Sequence, residues 1–198
     1  MSQPHILILS GSASRKSATG DLLRHVGRLL EAAGATIDLI DLAEEPLPLF
    51  NPDTTYTAPY YAPLKARVDW AEVYLVGTPD YHGTMSSATK NFLDHFWKEY
   101  TGKLFATVVA SHDKGLTVAD HVRTVARQCY AWALPYTVTF VENADVKEGR
   151  IVNDALRDRI EMLARDLCVY GALLAAQRRE DVAGTEPGFL AQMRAESI

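Results

Sequence analysis

Two cysteines, Cys129 and Cys168, are all that the 198 residues contain. Two thiols cannot make the dense disulfide framework of a small secreted domain, and both fall inside helix-like apolar patterns. They are expected to be buried small hydrophobes in a reducing compartment. HExxH and CxxC are missing, and His82, His95, His112 and His121 have no metal-ligand spacing, so no metal is expected. No apolar run approaches bilayer length. The start, MSQPHILILSGS, has no basic stretch and too short an apolar run for a secretory leader, which leads to the expectation of a cytoplasmic protein with no membrane partner. Lys and Arg total 20 against 25 Asp and Glu, for a net charge of −5, and no stripe concentrates the cations. That excludes a nucleic-acid groove, which needs clustered positive charge to displace phosphate counterions. GxxxxGK[ST], GxGxxG and GxSxG are also absent, which removes the triphosphate P-loop, the dinucleotide fingerprint and the nucleophile elbow.

What is present is an alternation of strand and helix. Residues 5–10, HILILS, form the uninterrupted apolar run that a strand covered on both faces requires. A helix is expected over 17–33, ended by Gly34, then a strand over 36–42. Residues 43–63 hold five of the nine prolines and read as a long irregular excursion. A short helix at 64–71 leads to a third strand at 73–78 and a helix over 85–100. A fourth strand at 103–111, a helix over 117–133, a fifth strand at 136–141 and a last helix over 152–176 complete the pattern. Parallel strands separated by helices give a single α/β, flavodoxin-like three-layer domain over residues 1–176. Its five-stranded parallel sheet has the order 2-1-3-4-5 with helices on both faces. Residues 177–198 read as a C-terminal tail, with an amphipathic piece at 189–193, that packs on the domain or on a neighbouring subunit.

Ligands of such sheets bind beyond the carboxyl ends of the strands, beside the switch between strands 1 and 3. The first loop there, SGSASRKSATG (10–20), combines the hydroxyls of Ser10, Ser12, Ser14, Ser17 and Thr19 with Arg15, Lys16 and a helix N-terminus. Free N–H groups, hydroxyls and cations together suit a phosphate; the plainer alternative is a solvated turn with Ser17 as helix N-cap. Asp41, at the end of strand 2, reads as a turn former rather than a ribose ligand. The second loop lies in GTPDYHGTMSSATKNFLD (77–94). Pro79 stiffens the exit of strand 3, Gly83 permits an unusual backbone path, and Tyr81 and His82 bring flat side chains to the mouth of the sheet. Exposed N–H groups beside an aromatic ring suit a flat heteroaromatic ligand with acceptors around its rim.

SGSASRKSATG, LPLFNPD (47–53) and TPDYHGTMSSATKNFLD together resemble the NAD(P)H-dependent FMN reductase family, which includes quinone, azo and chromate reductases. The likeness runs from strand 1 to strand 5. It implies FMN as cofactor, with NADPH or NADH as electron donor. The phosphate would lie at Ser10, Ser12, Arg15, Ser17 and Thr19. The isoalloxazine would lie at Pro79, Asp80, Tyr81, His82 and Gly83, with Ser111 in the third loop. Two positions depart from the family pattern. Its usual arginine falls where this chain has Ser14, and its consecutive glycines after strand 4 are replaced by SHDKG (111–115), whose His112 or Asp113 could crowd the ring, bond to it or face solvent.

The function implied is an oxidoreductase that passes hydride from the nicotinamide to FMN and then electrons to a small-molecule acceptor such as a quinone, azo compound, metal oxyanion or free flavin. The chemistry belongs to the flavin, so no catalytic residue is expected, with His82 and Tyr81 as possible tuning groups. The alternative is a non-enzymatic flavodoxin-type electron carrier or a redox sensor; the near balance of acids and bases argues against the acidic docking face of a carrier. The third helix carries Phe92, Leu93, Phe96, Trp97 and Tyr100, more than one core-facing stripe needs. The surplus points to a subunit interface, and the resemblance likewise implies a homodimer or homotetramer.

Overall fold

The structure, a computed structural model, describes residues 3–196. Its elements run β1 (His5–Ser10), α1 (Ala18–Ala32), β2 (Thr36–Asp41), α2 (Tyr61–Trp70), β3 (Val73–Tyr81), β4 (Thr84–Met85), α3 (Ser87–Asp94), β5 (Leu104–Ala110), α4 (Leu116–Gln128), β6 (Trp132–Ala133), β7 (Val138–Phe140), β8 (Val146–Lys147), β9 (Arg150–Ile151) and α5 (Asp154–Ala183). Parallel pairing gives the order β2-β1-β3-β5, and β6 and β7 share the position beyond β5. This is the expected flavodoxin-like order, with short additions.

The apolar strands follow from burial on both faces. Alternate residues point to opposite sides, and the cores divide accordingly. Ile6 and Ile8 of β1, Val73 and Leu75 of β3, and Leu104, Ala106 and Val108 of β5 pack with α1 and α5. Leu7 and Leu9, Tyr74 and Val76, and Phe105 and Val109 pack under α2, α3 and α4. A strand with one wet face would alternate with polar residues; these cannot.

Several boundaries differ from the sequence expectation. The helix expected through 133 stops at Gln128, because Tyr130 adopts φ 56° and turns the chain into β6 against the start of β5. The strand expected at 136–141 is reduced to β7, and Pro135, which has no N–H for a ladder, lies between it and β6. The helix expected over 85–100 begins at Ser87 and ends at Asp94, and a 3-10 turn follows at Lys98–Tyr100. That break turns Phe96 and Tyr100 inward beside Phe92 and Leu93, so Trp97 alone of the five stays exposed. The last helix continues past Ala176 to Ala183, and Phe189–Glu196 forms a 3-10 segment whose Leu190 is buried close to Gly102.

At the end of the sheet away from the strand carboxyl termini, Lys103 is almost fully buried. Its Nζ donates to Val68 O and Asp69 O, both at 3.0 Å, and to Tyr74 Oη at 3.2 Å. The Tyr74 hydroxyl itself donates to Val68 O at 2.6 Å, so it can only accept from the lysine. Three acceptors need three N–H groups, which only the ammonium has. Burial opposes that charge and, with Arg178 nearby, lowers the lysine to about 7 against Asp69, Glu99 and Glu72, which raise it. The unfolded chain holds this proton up to the ordinary value of 10.5. Between those two pH values it therefore binds more protons than the native state, and stability rises with pH there. Urea unfolding at pH 7 and pH 9 should show wild type gaining on Lys103→Met by a few kcal/mol at most as pH rises; an unchanged difference would mean that Lys103 keeps its proton at both.

Candidate functional site

The carboxyl ends of β1, β3 and β5 open into one cleft of about 370 Å³, within the range of small-ligand sites. It is lined by Ser12, Ser14 and Lys16–Thr19 from the first loop, Pro79–Tyr81 from the second, Ala110–His112 from the third, and Glu142 beyond β7. Chain segments about sixty and ninety residues beyond the first loop meet it here, because parallel register brings Ser10 beside Gly77 and Pro79 beside Ala110.

One end of the cleft is the start of α1. Ser17 is its N-cap, in extended conformation, accepting from Gly20 N at 3.4 Å. Ser12 is buried, and its Oγ accepts from Ser14 N at 3.2 Å, which curls the loop over the helix end. The first-turn N–H groups, which no helix satisfies internally, stand among the hydroxyls of Ser12, Ser14, Ser17 and Thr19 with Lys16 alongside. This donor set fits a phosphate monoester.

The other end is built by the loops that follow β3 and β5. Tyr81, His82, Gly83 and Thr84 make a two-residue hairpin in which Tyr81 pairs with Thr84, His82 has φ 57° and Gly83 φ 79°. Those positive values at both central positions define the hairpin turn that favours Asn-Gly, with His in the place of Asn. The Asp80 carboxylate accepts from Gly83 N at 2.8 Å and from Ser111 Oγ at 2.8 Å, tying the second loop to the third. Ser111 Oγ accepts in turn from Asp113 N at 3.1 Å.

Beneath the cleft a knot of buried hydroxyls fastens the first loop to the second. Thr89 Oγ1 donates to Thr78 Oγ1 at 3.0 Å, Ser86 N donates to the same oxygen at 3.0 Å, and Ser86 Oγ donates to Gly11 O. Ser86 Oγ also caps α3 by accepting from Thr89 N at 3.0 Å. Gly11 N donates to Gly77 O at 2.8 Å. A Cβ on Gly11 would stand 1.9 Å from Thr89 Oγ1, so only glycine fits.

Of the residues expected from the sequence, Ser12, Ser17, Thr19, Pro79, Asp80, Tyr81 and Ser111 line the cleft. Ser10 does not; it is buried below the loop, its Oγ without a hydrogen-bond partner. Arg15 points away, its Nε 3.6 Å from Glu44, and Lys16 is the cation that lines the cleft. His82 and Gly83 form the hairpin turn rather than the cleft wall. His112 and Glu142 were not assigned to the site, although each is an early polar residue after a buried strand. The hub at Thr78, Ser86 and Thr89 was missed as well; nothing in TPDYHGTMSSAT (78–89) singles out those three among its hydroxyl residues. Asp41 accepts from Arg24 Nη1 at 2.8 Å and from Ala43 N at 3.1 Å, as a turn former does. Among the described residues no cluster of His, Cys, Asp and Glu could hold a metal ion, and no helix is long and apolar enough to cross a membrane.

A doubly covered parallel sheet with a helix start of phosphate-binding type at its switch point defines a flavodoxin-like protein. The chain belongs to the NADPH-dependent FMN reductase family, whose model matches residues 4–145. It is 28% identical over 152 residues to an FMN-dependent NADPH-azoreductase of Staphylococcus aureus, covering 70% of this chain and 80% of that protein. Among solved structures it is similar in fold to the NAD(P)H:(acceptor) oxidoreductase FerB of Paracoccus denitrificans, with a TM-score of 0.71, 17% identity, and coverage of 85% and 97% of the two chains. An FMN-dependent NADH-azoreductase of Bacillus anthracis, solved in complex with FMN, gives a TM-score of 0.63 at 12% identity over 83% and 99% of the chains.

Gly11→Ala should destabilise the fold by about 1–3 kcal/mol through overpacking. Adding Thr89→Ala should recover only part of this, because Gly77 O remains 2.8 Å from the new methyl group. Denaturant midpoints of the single and double variants check it, and full recovery would show that Thr89 is the only obstacle.

Proposed function

We propose that this chain holds FMN in the cleft and, as an NAD(P)H-dependent oxidoreductase, passes electrons from NADPH or NADH to a small acceptor such as a quinone, azo compound, metal oxyanion or free flavin. The observation that carries the reading is the meeting of a phosphate-type loop with the loops after β3 and β5 in a single cleft. Ser12, Ser14, Ser17 and Thr19, the first-turn N–H groups of α1 and Lys16 would hold the phosphate. Pro79–Tyr81 and Ala110–His112 would flank the ring, with Asp80 fixing their spacing. When bound, the flavin supplies the two-electron chemistry, and the chain needs only to bind, orient and leave one face accessible.

Tyr81, about half exposed, also borders a neighbouring apolar pocket of about 610 Å³ with Met85, Lys90, His121 and Val125 among its walls. A planar donor or acceptor would rest there in turn. His121 Nδ1 lies 2.9 Å from Thr84 Oγ1, steadying the hairpin from the other side. Neither cysteine is suited to a redox role: burial pushes the Cys129 thiol up to about 11 and also raises Cys168. Free buried thiols are in keeping with the cytoplasm, and exposed Tyr81, Trp97 and Leu116 with a homodimer or homotetramer. Light scattering should then report a mass that is a multiple of the chain's; the monomer mass would remove the assembly.

The functional test is the visible spectrum of the protein with FMN, before and after anaerobic NADPH or NADH. A perturbed flavin band that bleaches on addition supports the reductase. A perturbed band that neither donor bleaches favours an electron carrier, and an unperturbed band removes FMN. Lys16→Ala should weaken FMN binding by about 1.5–3 kcal/mol, the worth of a bond to a charged group, and leave riboflavin, which has no phosphate, unaffected. Arg15→Ala should change neither, and a loss confined to Arg15→Ala would move the phosphate contact to that residue.

A further inference from the structure

Asp80 is the one acidic side chain that joins the two loops flanking the slot. Its carboxylate is half-buried, and both its bonds come from neutral donors, Gly83 N and Ser111 Oγ, each at 2.8 Å. Among the described residues no Lys, Arg or His pairs with it. Lys16, the lysine of the cleft, belongs to the first loop, and His112 and Glu142, the other ionisable side chains of its lining besides Tyr81, are exposed. An uncompensated negative charge in a partly desolvated slot acts strongly on any charge that develops beside it.

We propose that Asp80 is a positioning residue that sets the electron affinity of the bound flavin, and that Ser111 moderates its charge while holding the third loop in place. The inference rests on the reading that the cleft holds FMN. Two-electron reduction near neutral pH adds negative charge to a flavin ring. A fixed carboxylate among the groups flanking that ring therefore weakens binding of the reduced form relative to the oxidised form and makes the reduced form a stronger donor. The hydroxyl of Ser111, donating to the carboxylate, spreads part of the charge away; its oxygen also accepts from Asp113 N at 3.1 Å, anchoring the loop. The same two contacts thus tie the two loops together and set the electrical character of the slot.

Two substitutions separate charge from clasp and predict opposite signs. Asp80→Asn keeps an oxygen for Gly83 N and places an N–H₂ toward Ser111 Oγ, so the clasp persists without the charge. Spectroelectrochemical titration of the FMN-loaded protein should show the reduced-over-oxidised binding ratio rising at least tenfold, a potential about 30 mV higher for a two-electron couple. Ser111→Ala leaves the charge with one donor fewer, and the ratio should fall by threefold or more. A ratio unchanged within threefold in FMN-loaded Asp80→Asn, or one that does not fall in Ser111→Ala, overturns the inference while leaving the functional reading intact. If Asp80→Asn retains no FMN, the direction of the Ser111→Ala change decides. If wild type takes up no FMN, the functional reading fails and the inference with it.

Discussion

Gly11 has no side chain because Thr89 occupies the space where one would stand, and its carbonyl oxygen accepts from the Ser86 hydroxyl, which would otherwise be stranded in the core. This contact sits where two loops with no sequence proximity must be held at a fixed separation. Thr78, Ser86 and Thr89 satisfy one another, the start of α3 and the backbone of the first loop at once. A buried polar group left without a partner costs about 1–3 kcal/mol. Removing any member of the knot therefore strands the others, and the geometry of the cleft above depends on all of them.

The sheet supplies the frame on which that knot acts. Burial of both faces leaves the central strands few polar positions, so most polar chemistry is driven to the strand ends, where loops reach water. Phosphate donors collect at the start of α1, where unsatisfied N–H groups are unavoidable. The hairpin after β3 carries the aromatic ring, and Asp80 bridges to Ser111 across the slot. At the other end of the sheet Lys103 fills a polar gap among Val68, Asp69 and Tyr74, away from the cleft. One end is arranged for a ligand; the other closes the core with a charge that burial makes costly.

Much of the fold could be read from the sequence because apolar runs such as ILIL and YLV have one physical use, strands covered on both sides. Boundaries that depend on tertiary pairing could not. Nothing local at Tyr130 announces a positive φ; it is imposed by β6 pairing with the start of β5. The aromatic cluster of the third helix misled for a related reason. A continuous helix would have displayed part of the cluster outward, whereas the break after Asp94 lets Phe96 and Tyr100 reach the core. In the site, hydroxyl and glycine patterns marked the right loops, but they did not show which of two adjacent cations lines the cleft: Lys16 does, and Arg15 lies beside Glu44.

By itself the sequence determined the layers and the three loops that meet at the switch point, because hydrophobic periodicity and helix-start chemistry are local; the strand order followed from the fold class that the alternation of elements fits. It carried the family likeness as well, through the first loop, LPLFNPD (47–53) and the segment 78–94. Only the tertiary structure decided that Lys16 rather than Arg15 faces the cleft, that Ser10 lies beneath it, and that Asp80 joins the second loop to the third. These are facts about side-chain direction across segments tens of residues apart, fixed by parallel register and by the need of buried polar atoms for partners.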